Sequence, residues 1–169
     1  MQNKQYRIIL LNGPSSSGKS SLSMYLKNLL EEKGLDYQIV SIDDFMKIGT
    51  DETIYEDDVF EISLDMCKQT LEYLKEYDGV IIDHVITSER IYQQLLDETK
   101  GFNSLKVHVD CPLEELIKRE NQRGNRHVGS AQASFTYLYP KKGYDLVVNT
   151  FSNSTQECAA IIANYLFSK

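Results

Sequence analysis

The stretch Gly13-Pro14-Ser15-Ser16-Ser17-Gly18-Lys19-Ser20 satisfies G-x-x-x-x-G-K-[ST] at every fixed position. Its flanks are those the motif needs. Before it, Arg7-Ile8-Ile9-Leu10-Leu11-Asn12 is a short apolar run of buried-strand type. After it, Leu22, Leu26, Leu29 and Leu30 recur at helical spacing. Glycines at 13 and 18 let the backbone approach an anion with no Cβ in the way. The loop amides and the start of the following helix then present positive potential to a phosphate. In such a loop Lys19 offers a mobile point charge to β- and γ-phosphates, and Ser20 a hydroxyl to Mg²⁺. The plain alternative is a serine-rich turn joining a strand to a helix, and the matching flanks argue against it. Gly13, Pro14, Ser15, Ser16, Ser17, Gly18, Lys19, Ser20 and Ser21 are therefore the candidate nucleotide cradle.

The remaining chain repeats the alternation of short apolar runs and amphipathic stretches. Strands are expected at 37–42, 80–83, 105–109 and 144–149 besides the first. Phe60, Leu64, Cys67, Leu71 and Leu74 mark one helix face, and Ile91, Leu95 and Leu96 another, capped at Thr87 or Ser88. Pro112 starts a helix running to about Gln122, and a further helical piece covers about Ala131 to Tyr139. Ser154-Thr155-Gln156-Glu157 is a capping box that opens the last helix. This order predicts an α/β fold, a five-stranded parallel sheet with helices on both faces, in a single domain spanning 1–169. Ligands on such sheets bind at the carboxyl ends of strands. Gly13, Asp43, Asp83 and Asp110 all follow strands, so one sheet edge is expected to gather them.

Composition narrows the partners. The chain has 169 residues and a net charge of −7, which does not suit a binder of nucleic acid or of anionic membrane surfaces. No apolar run reaches a membrane span, and the first residues lead straight into the first strand without a signal segment, so a cytoplasmic location is expected. Cys67, Cys111 and Cys158 lack metal-ligand spacing and read as packing residues.

Asp83 ends an apolar strand as a Walker-B acid does, and with Ser20 it is the candidate Mg²⁺ pair. Asp43 and Asp44 end the second strand, which a doubly wound sheet is expected to hold near the first. One of the two is expected to accept a proton from an attacking hydroxyl, and position alone leaves the choice open. Three of the five arginines, Arg119, Arg123 and Arg126, gather on and just after one helix. They read as a lid at about 119–130 that neutralises phosphate charge, against a solvated face paired with Glu114, Glu115 and Glu120. Between Ser41 and Met66 nine acids face one base, Lys47. Kinases for anionic acceptors pair the anion with arginine, so this stretch suggests a neutral or cationic acceptor.

Ile8 to Ser20 resembles the opening of the chloramphenicol phosphotransferase-like family of small P-loop kinases. The likeness continues at Ser41-Ile42-Asp43, Val80-Ile81-Ile82-Asp83, Val109 to Leu116, Arg119 to Arg126, Tyr144 to Thr150 and Ser154 to Ala159. The resemblance implies a three-layer P-loop NTPase fold of kinase type, with ATP as phosphate donor. It also implies that Asp43 is the base; from the residues, Lys19, Arg123 and Arg126 are expected to act beside it, with Arg119 and Arg123 on the nucleotide. The region from Phe45 to Phe60, expected to shape the acceptor pocket, departs from the antibiotic-modifying member. The reading is an ATP- and Mg²⁺-dependent phosphotransferase acting on a hydroxyl of a small molecule, chloramphenicol or a related antibiotic among the candidates. The alternatives are a nucleotide- or shikimate-type metabolic kinase, a GTP-binding switch, against which the missing N/T-K-x-D stands, and a non-catalytic nucleotide-binding regulator.

Overall fold

A computed structural model describes residues 5–46, 55–125 and 127–168. Lys47, Asp51 and Glu52 of the acidic stretch and Arg126 of the arginine segment lie outside them. The strands are β1 (Ile8–Asn12), β2 (Tyr37–Ser41), β3 (Gly79–His84), β4 (Ser104–Asp110) and β5 (Leu146–Asn149). The helices are α1 (Lys19–Glu32), α2 (Glu56–Glu76), α3 (Glu89–Glu98), α4 (Leu113–Arg123), α5 (Ser130–Tyr137) and α6 (Thr155–Phe167). A single 3₁₀ turn, Ile42–Asp44, follows β2.

All five strands are parallel, in the order β2-β3-β1-β4-β5. The expected closeness of β2 to β1 is corrected here, because β3 is inserted between them. Its apolar run Val80-Ile81-Ile82 suits an interior strand, and β3 is buried along its whole length, Asp83 and His84 included. The register aligns Asn12 with His84 and Ser41 with Asp83, so the strand ends converge on one edge.

Alternation along the strands builds two cores. Ile9, Leu11, Ile81, Leu105, Val107 and Val109 face α1 and α6. Ile8, Leu10, Val80 and Ile82 face α2 and α3. A small satellite, Cys111, Leu116 and Ala131, joins α4 to α5. All three cysteines are free and buried, as packing residues should be. Both helix caps expected from sequence form: Ser88 Oγ accepts from Ile91 N, and Ser154 Oγ accepts from Glu157 N at 3.1 Å.

The buried stripe of α2 is Ser63, Met66, Cys67, Thr70 and Leu74, with Phe60, Leu64 and Leu71 only partly buried. The predicted face is thus rotated. The sheet side takes small polar residues that satisfy themselves locally. Thr70 Oγ1 donates to Met66 O at 3.0 Å, and Ser63 Oγ meets His84 Nε2 at 3.4 Å. Two further side chains close the opposite edge of the sheet. Arg7 donates to the carbonyls of Leu74, Tyr77 and Asp78 at the end of α2. The Tyr37 hydroxyl donates to Tyr6 O.

Gly79 opens β3 beneath the Tyr37 ring. A Cβ there would lie 2.2 Å from a Tyr37 ring carbon and 2.7 Å from Arg7 O. Gly79→Ala should therefore cost about 1–3 kcal/mol of stability by overpacking, measurable as a lowered urea midpoint at unchanged m-value. His84 is fully buried, and burial, aided by the Lys19 charge, lowers its pKa from 6.5 to about 4. Unfolding restores the ordinary value, so the unfolded chain binds a proton that the folded one rejects. The stabilisation by neutral His84 is complete above pH 6.5 and is lost as pH falls toward 4. The wild type should lose about 3 kcal/mol more than His84→Asn across that window, measured by urea unfolding at each pH.

Candidate functional site

The carboxyl edge of the sheet carries two adjoining cavities. The first, about 450 Å³, is lined by Ser15, Ser16, Gly18, Lys19, Ser20 and Ser21 of the glycine loop and α1. Ile42, Asp43, Asp83 and Val85 from the ends of β2 and β3, and Arg119, Gln122 and Arg123 from α4, complete it. The second, about 400 Å³, lies between α2, α3 and α5. Ser15, Ile42, Asp43 and Val85 line both.

The loop has the geometry of an anion cradle. Gly13 is forced by packing: a Cβ there would sit 2.4 Å from Val109 O of β4. Gly18 takes φ 90 and opens α1 directly. Ser16 holds φ 69, unusual for a residue with a side chain, and its Oγ is buried with no hydrogen-bond partner. The Lys19 ammonium curls back over the loop and donates to Pro14 O at 2.8 Å and Ser17 Oγ at 3.3 Å.

Asp83 is buried at the end of β3 and accepts from Ser20 Oγ at 3.0 Å and Ser41 Oγ at 3.2 Å. Ser20 and Asp83, paired in the sequence reading as a candidate Mg²⁺ site, are thus in direct contact. Among the described residues no group of three or more His, Cys, Asp or Glu forms a metal cluster. The Ser20–Asp83 pair is an oxygen-donor set of the kind Mg²⁺ takes with phosphate and water filling the other positions.

Asp43 stands on the 3₁₀ turn where the two cavities meet, whereas Asp44 lines neither. Asp110, the third carboxylate expected at the edge, lines neither cavity as well. Arg119 is stapled across the loop. Its Nε donates to Glu115 Oε1 at 2.9 Å, and its guanidinium donates to Thr150 Oγ1 and Thr150 O at 3.2 and 3.0 Å. Thr150 Oγ1 in turn donates to Ser17 O at 2.7 Å. Arg123 is exposed at the rim of the first cavity. Of the three acids offered as partners for a basic face, Glu115 pairs with Arg119, but buried Glu120 instead accepts from Gly129 N and Ala131 N at the start of α5.

Three residues with a place in the site went unassigned in the sequence. Asn12, fully buried, donates to Tyr139 O and the Tyr144 hydroxyl and accepts from Ile86 N, each at 2.9 Å. Ser134 Oγ accepts from the loop amide of Ser15 at 2.9 Å. Thr150 has been described. Their signal is tertiary: the contacts of Asn12 with Tyr139 and Tyr144, of Ser134 with Ser15 and of Thr150 with Ser17 each span more than 100 residues of sequence. Burial raises the Tyr144 phenol to about 12, so it stays protonated and can donate to Pro140 O.

The second cavity is apolar over much of its wall, through Met46, Val59, Val85, Ile91 and Ala133, with Tyr55 and Tyr137 exposed at its margin. Among the described residues, its polar groups are hydroxyls and the carboxylates of Asp43 and Glu56, and no lysine or arginine lines it. Arg90 lies close by but is engaged: it pairs with Asp57, approaches Glu56 at 3.9 Å and stacks on Phe60 at 3.9 Å.

Solved structures with this fold include the APS kinase of Mycobacterium tuberculosis in complex with AMPPNP and APS, with TM-score 0.71 and 20% identity, covering 97% of this chain and 99% of that one. A gluconokinase from Sinorhizobium meliloti 1021 aligns with TM-score 0.69 at 17% identity over 98% of both chains. The shikimate kinase of Acinetobacter baumannii in complex with shikimate aligns with TM-score 0.65 at 17% identity, covering 96% of this chain and 94% of that one. These likenesses establish the fold as that of the P-loop kinases. No curated protein sequence matches. The family model for chloramphenicol phosphotransferase-like proteins matches residues 6–167, nearly the whole chain, and this supports a nucleotide-dependent small-molecule kinase. By that match the chain belongs to the chloramphenicol phosphotransferase-like family.

Proposed function

We propose that this protein transfers the γ-phosphate of ATP to a hydroxyl of a neutral or cationic small molecule. ATP fills the first cavity and the acceptor the second. The observation that carries the reading is Asp43, among the described residues the one carboxylate that lines both cavities. A carboxylate at that junction takes the acceptor's hydroxyl proton as the acceptor oxygen bonds to the γ-phosphorus and the β–γ bridging bond breaks, releasing ADP.

The buried unpartnered hydroxyl of Ser16 and the serine-rich loop fit a phosphate. Lys19, Arg119 and Arg123 line the same cavity and offset its negative charge, Arg123 from the rim of a lid spanning about 119–130. Ser20 and Asp83 would hold Mg²⁺, which would supply positive charge to offset that of the transferring phosphate. The largely apolar wall of the second cavity, which holds no lysine or arginine among the described residues, supports an uncharged or positive acceptor. APS and shikimate, each seen in complex with a structural neighbour, are anions and would meet two carboxylates and no cation among the described residues there. Chloramphenicol and related neutral antibiotics are the first compounds to try, and the dependence on ATP puts the reaction in the cytoplasm.

The test is ATP consumption with Mg²⁺ across hydroxylated compounds: chloramphenicol, aminoglycosides, macrolides and nucleosides beside shikimate and nucleoside monophosphates. Turnover with the anionic group alone would overturn the acceptor assignment. Asp43→Asn should lower kcat about 100-fold or more with ATP affinity little changed, whereas Asp44→Asn should stay within a few-fold of wild type. Asp83→Asn should raise the Mg²⁺ concentration for half-maximal turnover about 10-fold, read from a Mg²⁺ titration at saturating ATP.

A further inference from the structure

Glu120 is a buried carboxylate that lines neither cavity and pairs with no described cation. Its two oxygens are spent on backbone amides at the start of α5: Oε1 accepts from Ala131 N at 2.8 Å, and Oε2 from Gly129 N at 3.2 Å. The residue before it in α4, Arg119, spans the glycine loop through Thr150. Arg123, one turn later, lines the first cavity. At the other end of the link, α5 supplies Ser130, Ala133, Ser134 and Tyr137 to the second cavity. Leu116 of α4 and Ala131 of α5 share the satellite core with Cys111, apart from both main cores. Ser134 Oγ closes the circuit by accepting from Ser15 N. One helix of the pair therefore faces the nucleotide cavity and the other walls the acceptor cavity. Glu120 joins them at the α5 N-terminus, where a carboxylate also complements the helix dipole.

We infer that Glu120 is a positioning residue that couples the two cavities, so that nucleotide engaged by α4 fixes α5 in place as the acceptor's wall. This inference rests on the assignment of the first cavity to nucleotide. A carboxylate holding two amides is stiffer than the single bonds a glutamine could keep, because an amide group turned to an N–H repels it. Energy from phosphate binding to Arg119 and Arg123 then reaches α5 through this side-chain joint.

The coupling is read without knowing the acceptor, by amide hydrogen exchange with and without Mg²⁺ and AMPPNP. In the wild type the nucleotide should slow exchange in the glycine loop and also across 129–137, there by about 10-fold. In Glu120→Gln the loop protection should persist while the nucleotide-induced slowing across 129–137 falls to less than about two-fold. A purely structural cap would speed exchange in α5 equally with and without nucleotide and leave that ratio at its wild-type value, which would overturn the inference. So would a wild type whose loop is protected while α5 is not. Absence of protection in the loop itself would instead strike the nucleotide assignment, and this inference with it. Ser134→Ala, which cuts the direct contact of α5 with the loop but leaves the Glu120 joint, should retain at least half of the α5 slowing. Loss of all of it would assign the coupling to Ser134 and overturn the role of Glu120.

Discussion

The functional edge is held together by the side chain of Asn12. It is the last residue of β1, directly before the glycine loop, and it is fully buried. Its carbonyl oxygen takes the Ile86 amide from the segment after β3, and its amide group donates to Tyr139 O and the Tyr144 hydroxyl from the segment after α5. Those three bonds saturate the amide's donors and fix two loops against β1. An unpaired group at such a site costs about 1–3 kcal/mol. The cavities lie between these anchored segments, so their shape depends on the strand that carries the phosphate loop.

Around that anchor the parallel register does the remaining positioning. Ser41 and Asp83 are paired partners across β2 and β3, and Ser20 lies at the start of α1, which leaves β1. Their three side chains meet at Asp83 Oδ2 without any loop having to fold over them. A site built on strand ends and a helix start is rigid before ligand arrives. The second cavity is built otherwise, from the first turn of α2, the start of α3 and one face of α5.

Much of this was readable in the sequence because it is local. The glycine loop, the five strands, the Ser88 and Ser154 caps and the carboxylates at strand ends all follow from short patterns. What was not readable depends on pairing at a distance. The apolar runs of β2 and β3 do not say which lies beside β1. The stripe of α2 turned because periodicity marks the large apolar residues, while the sheet accepts Ser63 and Thr70 where the backbones come close. Asp43 and Asp44 are neighbours in sequence, and only the turn they share separates one into the cavities. Glu120 looked like a partner for arginine because acid and base alternate along α4, yet burial directs it to the amides of α5.

Because Asp43 belongs to both cavities while Asp83, Lys19 and Ser20 belong to one, the chain separates what must stay constant from what is free to vary. Substitutions at Val59, Ile91, Ala133 or Tyr137 reshape the second cavity without touching a residue that lines the first. The second cavity can therefore change its shape and chemistry through a few positions on three helices while the wall of the first stays as it is.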